Sequence, residues 1–150
     1  MLNRIVSFKF YKDNKYRESV ISSADSRYQL SLDLCNCCEV FDASELYDIY
    51  TLCLWDCDNF YVVSTLSGVQ TLNLGYYGNV AVIRSLCGVY TSYLSDCSNV
   101  SNVIELGGVY ILNLKCCFKV SVVSTLSDDH ILNLSGCINV FVVRAHGGFT

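Results

Sequence analysis

An α/β-type repeat solenoid, an arc with one short parallel strand per twenty-residue coil, is the fold this sequence predicts. Three observations predict it. Residues 31–150 divide into six segments, 31–50, 51–70, 71–90, 91–110, 111–130 and 131–150, which align column by column without an insertion. Columns two and four are leucine at every position but Ser92 and alternate as a strand with one buried face does. Columns seven, ten, thirteen, sixteen and nineteen are apolar at a spacing of three, which suits a tight arc whose every third side chain points inward. One coil cannot bury those side chains by itself. Coils stacked at about 4.8 Å per parallel strand bury them in a continuous core.

The elements follow in chain order. Residues 1–30 do not match the columns and are read as an N-terminal cap on the first coil. "RIVSFKFY" alternates Val6, Phe8 and Phe10, and "KDNK" offers a turn towards "YRESVIS", so a strand-rich hairpin is expected. Within the repeats, column two is Leu32, Leu52, Leu72, Ser92, Leu112 and Leu132, and column four is leucine in all six coils, Leu34 to Leu134. Column seven reads Cys37, Cys57, Tyr77, Cys97, Cys117 and Cys137. Column eighteen holds Gly68, Gly88, Gly108 and Gly148 and is expected to bend the chain in a left-handed conformation before the next strand. Twenty residues leave no room for a strand and a full α-helix, so the convex side is expected to be 3₁₀ or irregular turns, with little α-helix overall. At the C-terminus the last repeat closes on Thr150 without a polar cap. Its edge is expected to cap itself through His146, Gly147 and Gly148, or to dock on something else, a second copy included.

Written from column nineteen, a coil reads V-x-x-L-x-L-x-x-C-x-N-V in its commonest residues, as in "VYILNLKCCFKV" at Val109–Val120, where lysine replaces the asparagine. This pattern resembles the leucine-rich repeat, in a short cysteine-type form. Phrases such as "LNLSGCINV" are similar to repeats abundant in proteins of large DNA viruses and some protists. The resemblance covers 120 of the 150 residues. It implies a horseshoe or arc, and a protein partner held on the concave strand surface. The scaffold hosts many unrelated roles, so the resemblance does not name that partner.

With 52% hydrophobic and 16% charged residues, the chain suffices for one folded unit. Its charge is uneven. Residues 1–30 carry six basic and three acidic side chains, whereas residues 31–150 carry four and eleven. Such a solenoid repels phosphate backbones, which excludes a role tracking nucleic acid. Lys9 interrupts the apolar N-terminus, and no window is long enough to span a membrane. The expectation is an intracellular, cytoplasmic protein whose ten cysteines are thiols.

Catalysis is not expected. No G-x-S-x-G, P-loop or G-x-G-x-x-G motif occurs, and no nucleophile stands beside a base. His130 follows Asp128 and Asp129, but Asp129 takes an apolar column and reads as repeat decay. "CNCC", Cys35 to Cys38, suggests a metal cluster until the columns are drawn: Cys37 belongs to the inward column seven, as does Cys117 of the Cys116-Cys117 pair. There cysteine is a small buried hydrophobe. No second C-x-x-C completes a tetrahedral site, so neither metal nor cofactor is expected. The asparagines of column nine, Asn59, Asn79, Asn99 and Asn139, read as amides bonding to turn backbone between coils.

What remains for recognition is the strand surface of columns one, three and five. The candidates for partner binding are Asp33, Cys53, Trp55, Asn73, Tyr93, Asn113, Lys115 and Asn133. Tyr50, Tyr90, Tyr110 and His130 run alongside in column twenty. Trp55, the sole tryptophan, could pack on the neighbouring rung or cap, or could bind. The acidic residues Asp33, Asp42, Glu45, Asp48, Asp56 and Asp58, all in the first two coils, read as a solvated face or as partners of the basic cap. The expected function is therefore a non-catalytic protein-interaction scaffold. The alternatives are a self-stacking structural segment, or the substrate-recognition part of a ubiquitin-ligase-type assembly, whose helical adaptor residues 1–30 are too short and strand-like to supply.

Overall fold

A computed structural model describes residues 2–6, 8–24, 28–40, 46, 49–60, 66–78, 86, 88–103, 106, 108–121, 123, 126 and 131–140. Seven strands, β1 (Leu2–Val6), β2 (Tyr28–Asp33), β3 (Ile49–Cys53), β4 (Thr71–Asn73), β5 (Thr91–Tyr93), β6 (Ile111–Asn113) and β7 (Ile131–Asn133), form one sheet in chain order. Every neighbouring pair is parallel. From β3 onwards the register advances by one repeat at each step: Leu52 faces Leu72, then Ser92, Leu112 and Leu132. The chain is a parallel β-solenoid of twenty-residue coils, with little helix.

The ladder does not stop where the strands end. The column-four amide donates to the column-three carbonyl of the next coil, as in Leu74 to Tyr93 at 2.8 Å. The column-six amide donates to column five of the next coil, as in Tyr76 to Ser95, also at 2.8 Å. Backbone donors and acceptors are thus consumed between coils rather than left to water.

The spacing of three has a local cause. Within a coil, the column-seven amide donates to column four, ten to seven, sixteen to thirteen and nineteen to sixteen, as in Cys117 to Leu114, Val120 to Cys117, Leu106 to Val103 and Val109 to Leu106. Each inward side chain therefore stands at a corner closed by an i to i+3 bond. Leu34, Leu54, Leu74, Leu94 and Leu114, with Val40, Phe60, Val100 and Val120, are at most 2% exposed. Burying one such side chain is worth about 1.5–3 kcal/mol.

Ser92 interrupts the leucines of column two. It is fully buried, and its hydroxyl finds no hydrogen-bond partner among the described residues. A buried hydroxyl without a partner costs about 1–3 kcal/mol. Ser92→Ala is accordingly expected to raise the urea midpoint, by about 1 kcal/mol of stability; an unchanged or lower midpoint would show that the hydroxyl is satisfied.

Two expectations are corrected here. The left-handed residue is not generally column eighteen. Gly88 has a positive φ of 96°, whereas Gly68 ends a 3₁₀ turn (Leu66–Gly68), which needs no positive φ, and neither it nor Gly108 is left-handed. Gly148 lies outside the described residues. The recurrent left-handed position is column six, where Asn36, Asp56, Tyr76, Asp96, Cys116 and Gly136 have φ between 57° and 77°. It is the third residue of the column-four to column-seven turn, where the backbone must reverse with positive φ.

The second correction concerns the cap, which is not a hairpin. Between β1 and β2 run two helices, α1 (Phe8–Lys12) and α2 (Asn14–Ser23). A hairpin would make its strands antiparallel, whereas a strand added in parallel needs a crossover. "KDNK" is a helix start: Asp13 caps α2, its carboxylate accepting from the Tyr16 amide at 3.0 Å. Arg17 is 3% exposed and donates to the carbonyls of Phe10 and Tyr11 and to Asn14 Oδ1. Phe10 and Val20 join the core of the first coil. Lys12 pairs with Glu39 at 3.2 Å, an exposed link between the basic cap and the acidic coils. The expected self-cap at His146 to Gly148 falls outside the described residues, as do Asp42, Glu45, Asp48, Cys87 and the Asp128 to His130 cluster.

Candidate functional site

Inward column seven is structural, and its cysteines are more than small hydrophobes. The thiols of Cys57, Cys97, Cys117 and Cys137 donate to the column-four carbonyls of the preceding coils, Leu34, Leu74, Leu94 and Leu114, at 2.9–3.2 Å. Burial pushes the Cys57 and Cys137 thiols above the ordinary cysteine value, and a hydrogen bond with Cys97, then burial, raises Cys117. Cys57, Cys117 and Cys137 therefore stay protonated at neutral pH and make poor nucleophiles or ligands, whereas the hydrogen bond with Cys117 lowers Cys97. Column nine is structural too. Asn59, Asn99 and Asn139 donate through Nδ2 to the carbonyls of Cys38, Gly78 and Phe118 one coil back, at 2.6–2.8 Å, and Lys119 reaches Asn99 Oδ1.

On the strand face, column three is partly committed to the fold. Asp33, Asn73, Asn113 and Asn133 each accept through Oδ1 from the backbone amide two residues on, that of Cys35, Gly75, Lys115 and Ser135, at 3.0–3.1 Å. Such a bond turns the chain out of the strand towards the left-handed residue. Only the outer half of each amide or carboxylate is left for a ligand. Lys115 is exposed at the rim.

Cys53, a candidate on this face, is not a thiol: it is joined to Cys35, with Cα atoms 5.7 Å apart. The expectation of ten thiols is corrected to this extent. Compartment chemistry argues for reduction, but columns three and five of adjacent rungs face the same way, and the sheet spacing puts their Cα atoms within bonding range.

Trp55 packs on its neighbouring rung. Its ring lies over Gly75, where a Cβ would stand 2.7 Å from Cδ1. Its edge meets Tyr76, with centroids 5.1 Å apart. Gly75 is thus the vacancy that seats the tryptophan. Tyr76 is 52% exposed and holds a φ of 62°, an uncommon backbone for a bulky residue. It went unmarked in the sequence, although an aromatic in a column of mostly Asn, Asp and Gly is a visible departure. Tyr93 is 39% exposed and is the strand partner of Asn73. Along the entrance to the strands, Tyr90 and Tyr110 stack at 4.9 Å, and Tyr50 is exposed on an earlier rung.

The structure therefore keeps Trp55, Tyr93 and the outer groups of Asn73, Asn113, Asn133, Asp33 and Lys115 on one face, adds Tyr76, and closes Cys53 into a disulfide. Comparison with family models, curated proteins and solved structures finds no match to this chain.

Proposed function

We propose that the chain is a non-catalytic scaffold of leucine-rich-repeat type that binds a protein partner on its strand face. The observation that supports this is the series of exposed aromatic rings held there on successive rungs. Tyr50, Tyr76, Tyr90, Tyr93 and Tyr110 are each between 38% and 52% exposed. Large rings fixed in advance by stacking lose little entropy on binding, and Tyr and Trp dominate binding energy at protein interfaces. The turn fixes Tyr76 in place, so its exposed ring is presented at little cost in entropy. A horseshoe curvature would make the face concave and let several rings touch one partner.

The test is affinity capture from native cells with three proteins. These are the wild type, a Trp55→Ala/Tyr93→Ala double variant, and a Phe118→Ala control in column eight. Two hot-spot side chains at about 2 kcal/mol each would cost roughly a hundredfold or more in affinity. The double variant should therefore lose the partner while the control keeps it. Capture that survives in the double variant sinks the assignment of this face.

A further inference from the structure

We infer that Asp33, Cys35 and Cys53 form a zinc-class cation site when the Cys35–Cys53 disulfide is reduced, so that disulfide and metal exclude one another. The three ligating atoms lie within 4.8 Å of one another. Register produces this: Asp33 and Cys53 are side-by-side partners on β2 and β3, and Cys35 follows two residues after Asp33 on the same face.

The turn does not account for these residue types. At Asn73, Asn113 and Asn133 an amide makes the same turn bond that Asp33 makes. A carboxylate is not needed for it. The one carboxylate of column three nevertheless stands beside the one cysteine of column three and the one cysteine of column five. Oδ1 of Asp33 is held at 3.0 Å by the Cys35 amide, which orients the group and leaves Oδ2 to bind.

The geometry permits ligation without moving the backbone. Zn–S bonds of about 2.3 Å in a tetrahedral site place two sulfurs about 3.8 Å apart. Side-chain rotation alone reaches that separation from Cα atoms 5.7 Å apart. Two thiolates and one carboxylate favour zinc over magnesium or calcium. Cys35 and Cys53 are half-buried and Asp33 is exposed, which leaves the fourth position open to water or to a group on a partner. Exposed Asp56 and Asp58 in the next coil favour a cation further.

The chemistry balances with a named reductant. A dithiol supplies two electrons and two protons: the Cys35–Cys53 bond breaks, the reductant leaves as its own disulfide, and two thiols form. A phosphine does the same with one water and leaves as the phosphine oxide. Zn²⁺ then displaces both thiol protons as two Zn–S bonds form.

The experiment takes the full chain, reduced anaerobically with a phosphine, and titrates it with Co²⁺ and then Zn²⁺. A thiolate-to-cobalt band saturating at about one equivalent, and bleached by about one equivalent of Zn²⁺, is the expected result. The oxidised protein and Cys35→Ser/Cys53→Ser should lack the band, and Asp33→Asn, which keeps the turn bond, should bind at least about tenfold more weakly. No band in the reduced wild type, loss of the fold on reduction alone, an undiminished band in the double serine variant, or unchanged affinity in Asp33→Asn would each overturn the site.

Discussion

Leu74→Ala is expected to destabilise the fold by about 3 kcal/mol, read as a fall in the urea midpoint at unchanged slope. Leu74 is completely buried in the middle of the coil stack. Its amide also donates to Tyr93 O and its carbonyl accepts the Cys97 thiol, so the backbone around it is fixed and cannot collapse into the space left behind. The same substitution at Leu134, half-buried in the last described coil, should cost about 1 kcal/mol, because less apolar surface is withdrawn from water there. Coils touch only their neighbours, so weakening a central interface threatens cooperativity as well as stability. If Leu74→Ala costs no more than Leu134→Ala, one continuous core is the wrong description.

Reducing the Cys35–Cys53 disulfide in metal-free buffer is expected to cost a similar amount, about 3 kcal/mol. The bond closes a loop of sequence separation 18, and the chain-entropy estimate for that length gives this value. Nearly the whole effect lies in the unfolded chain, which regains the freedom the cross-link had removed. Urea unfolding with and without a phosphine reductant measures it. The Cys35→Ser/Cys53→Ser variant should start at the lower midpoint and ignore the reductant. The remaining thiols control for side effects: Cys57, Cys97, Cys117 and Cys137 form no disulfide, and each donates to a carbonyl. An equal response of wild type and variant to the reductant would show that the bond does not stabilise the fold.

The parallel stack was legible because twenty-residue periodicity is a statement about packing. Leu74, Val100, Leu106 and Val109 repeat where a coil must face inward, and each is buried. What escaped depends on backbone conformation more than on hydrophobicity. Column six carries Asn36, Asp56, Asp96 and Gly136, types that tolerate positive φ, but Tyr76 and Cys116 break the series, and the glycines of column eighteen drew the eye instead. The amides of column three looked free because an acceptor bonded to its own backbone two residues on leaves no trace in hydrophobic periodicity. The cap misled for a topological reason: Val6, Phe8 and Phe10 alternate, but the alternation crosses from strand into helix. The disulfide was missed because the argument from compartment outweighed that from geometry. On the candidate face, Trp55 and Tyr93 were visible as aromatics out of column, whereas the seat at Gly75 needs the register of two rungs.

The corners closed three residues apart have a consequence for how such a chain can change length. The described part of each coil is built of such corners, and the bonds from columns three to six tie it to the next coil at matched positions. Gain or loss of one residue inside a tied side would put every later donor out of phase with its acceptor. Removing residues 91–110 whole would instead bring the Leu74 amide opposite Asn113, the column-three residue of the following coil, which now serves Leu94 in the same way. The molecule is therefore brittle to single-residue insertions yet divisible in twenties, and its natural mutational unit is the coil rather than the residue.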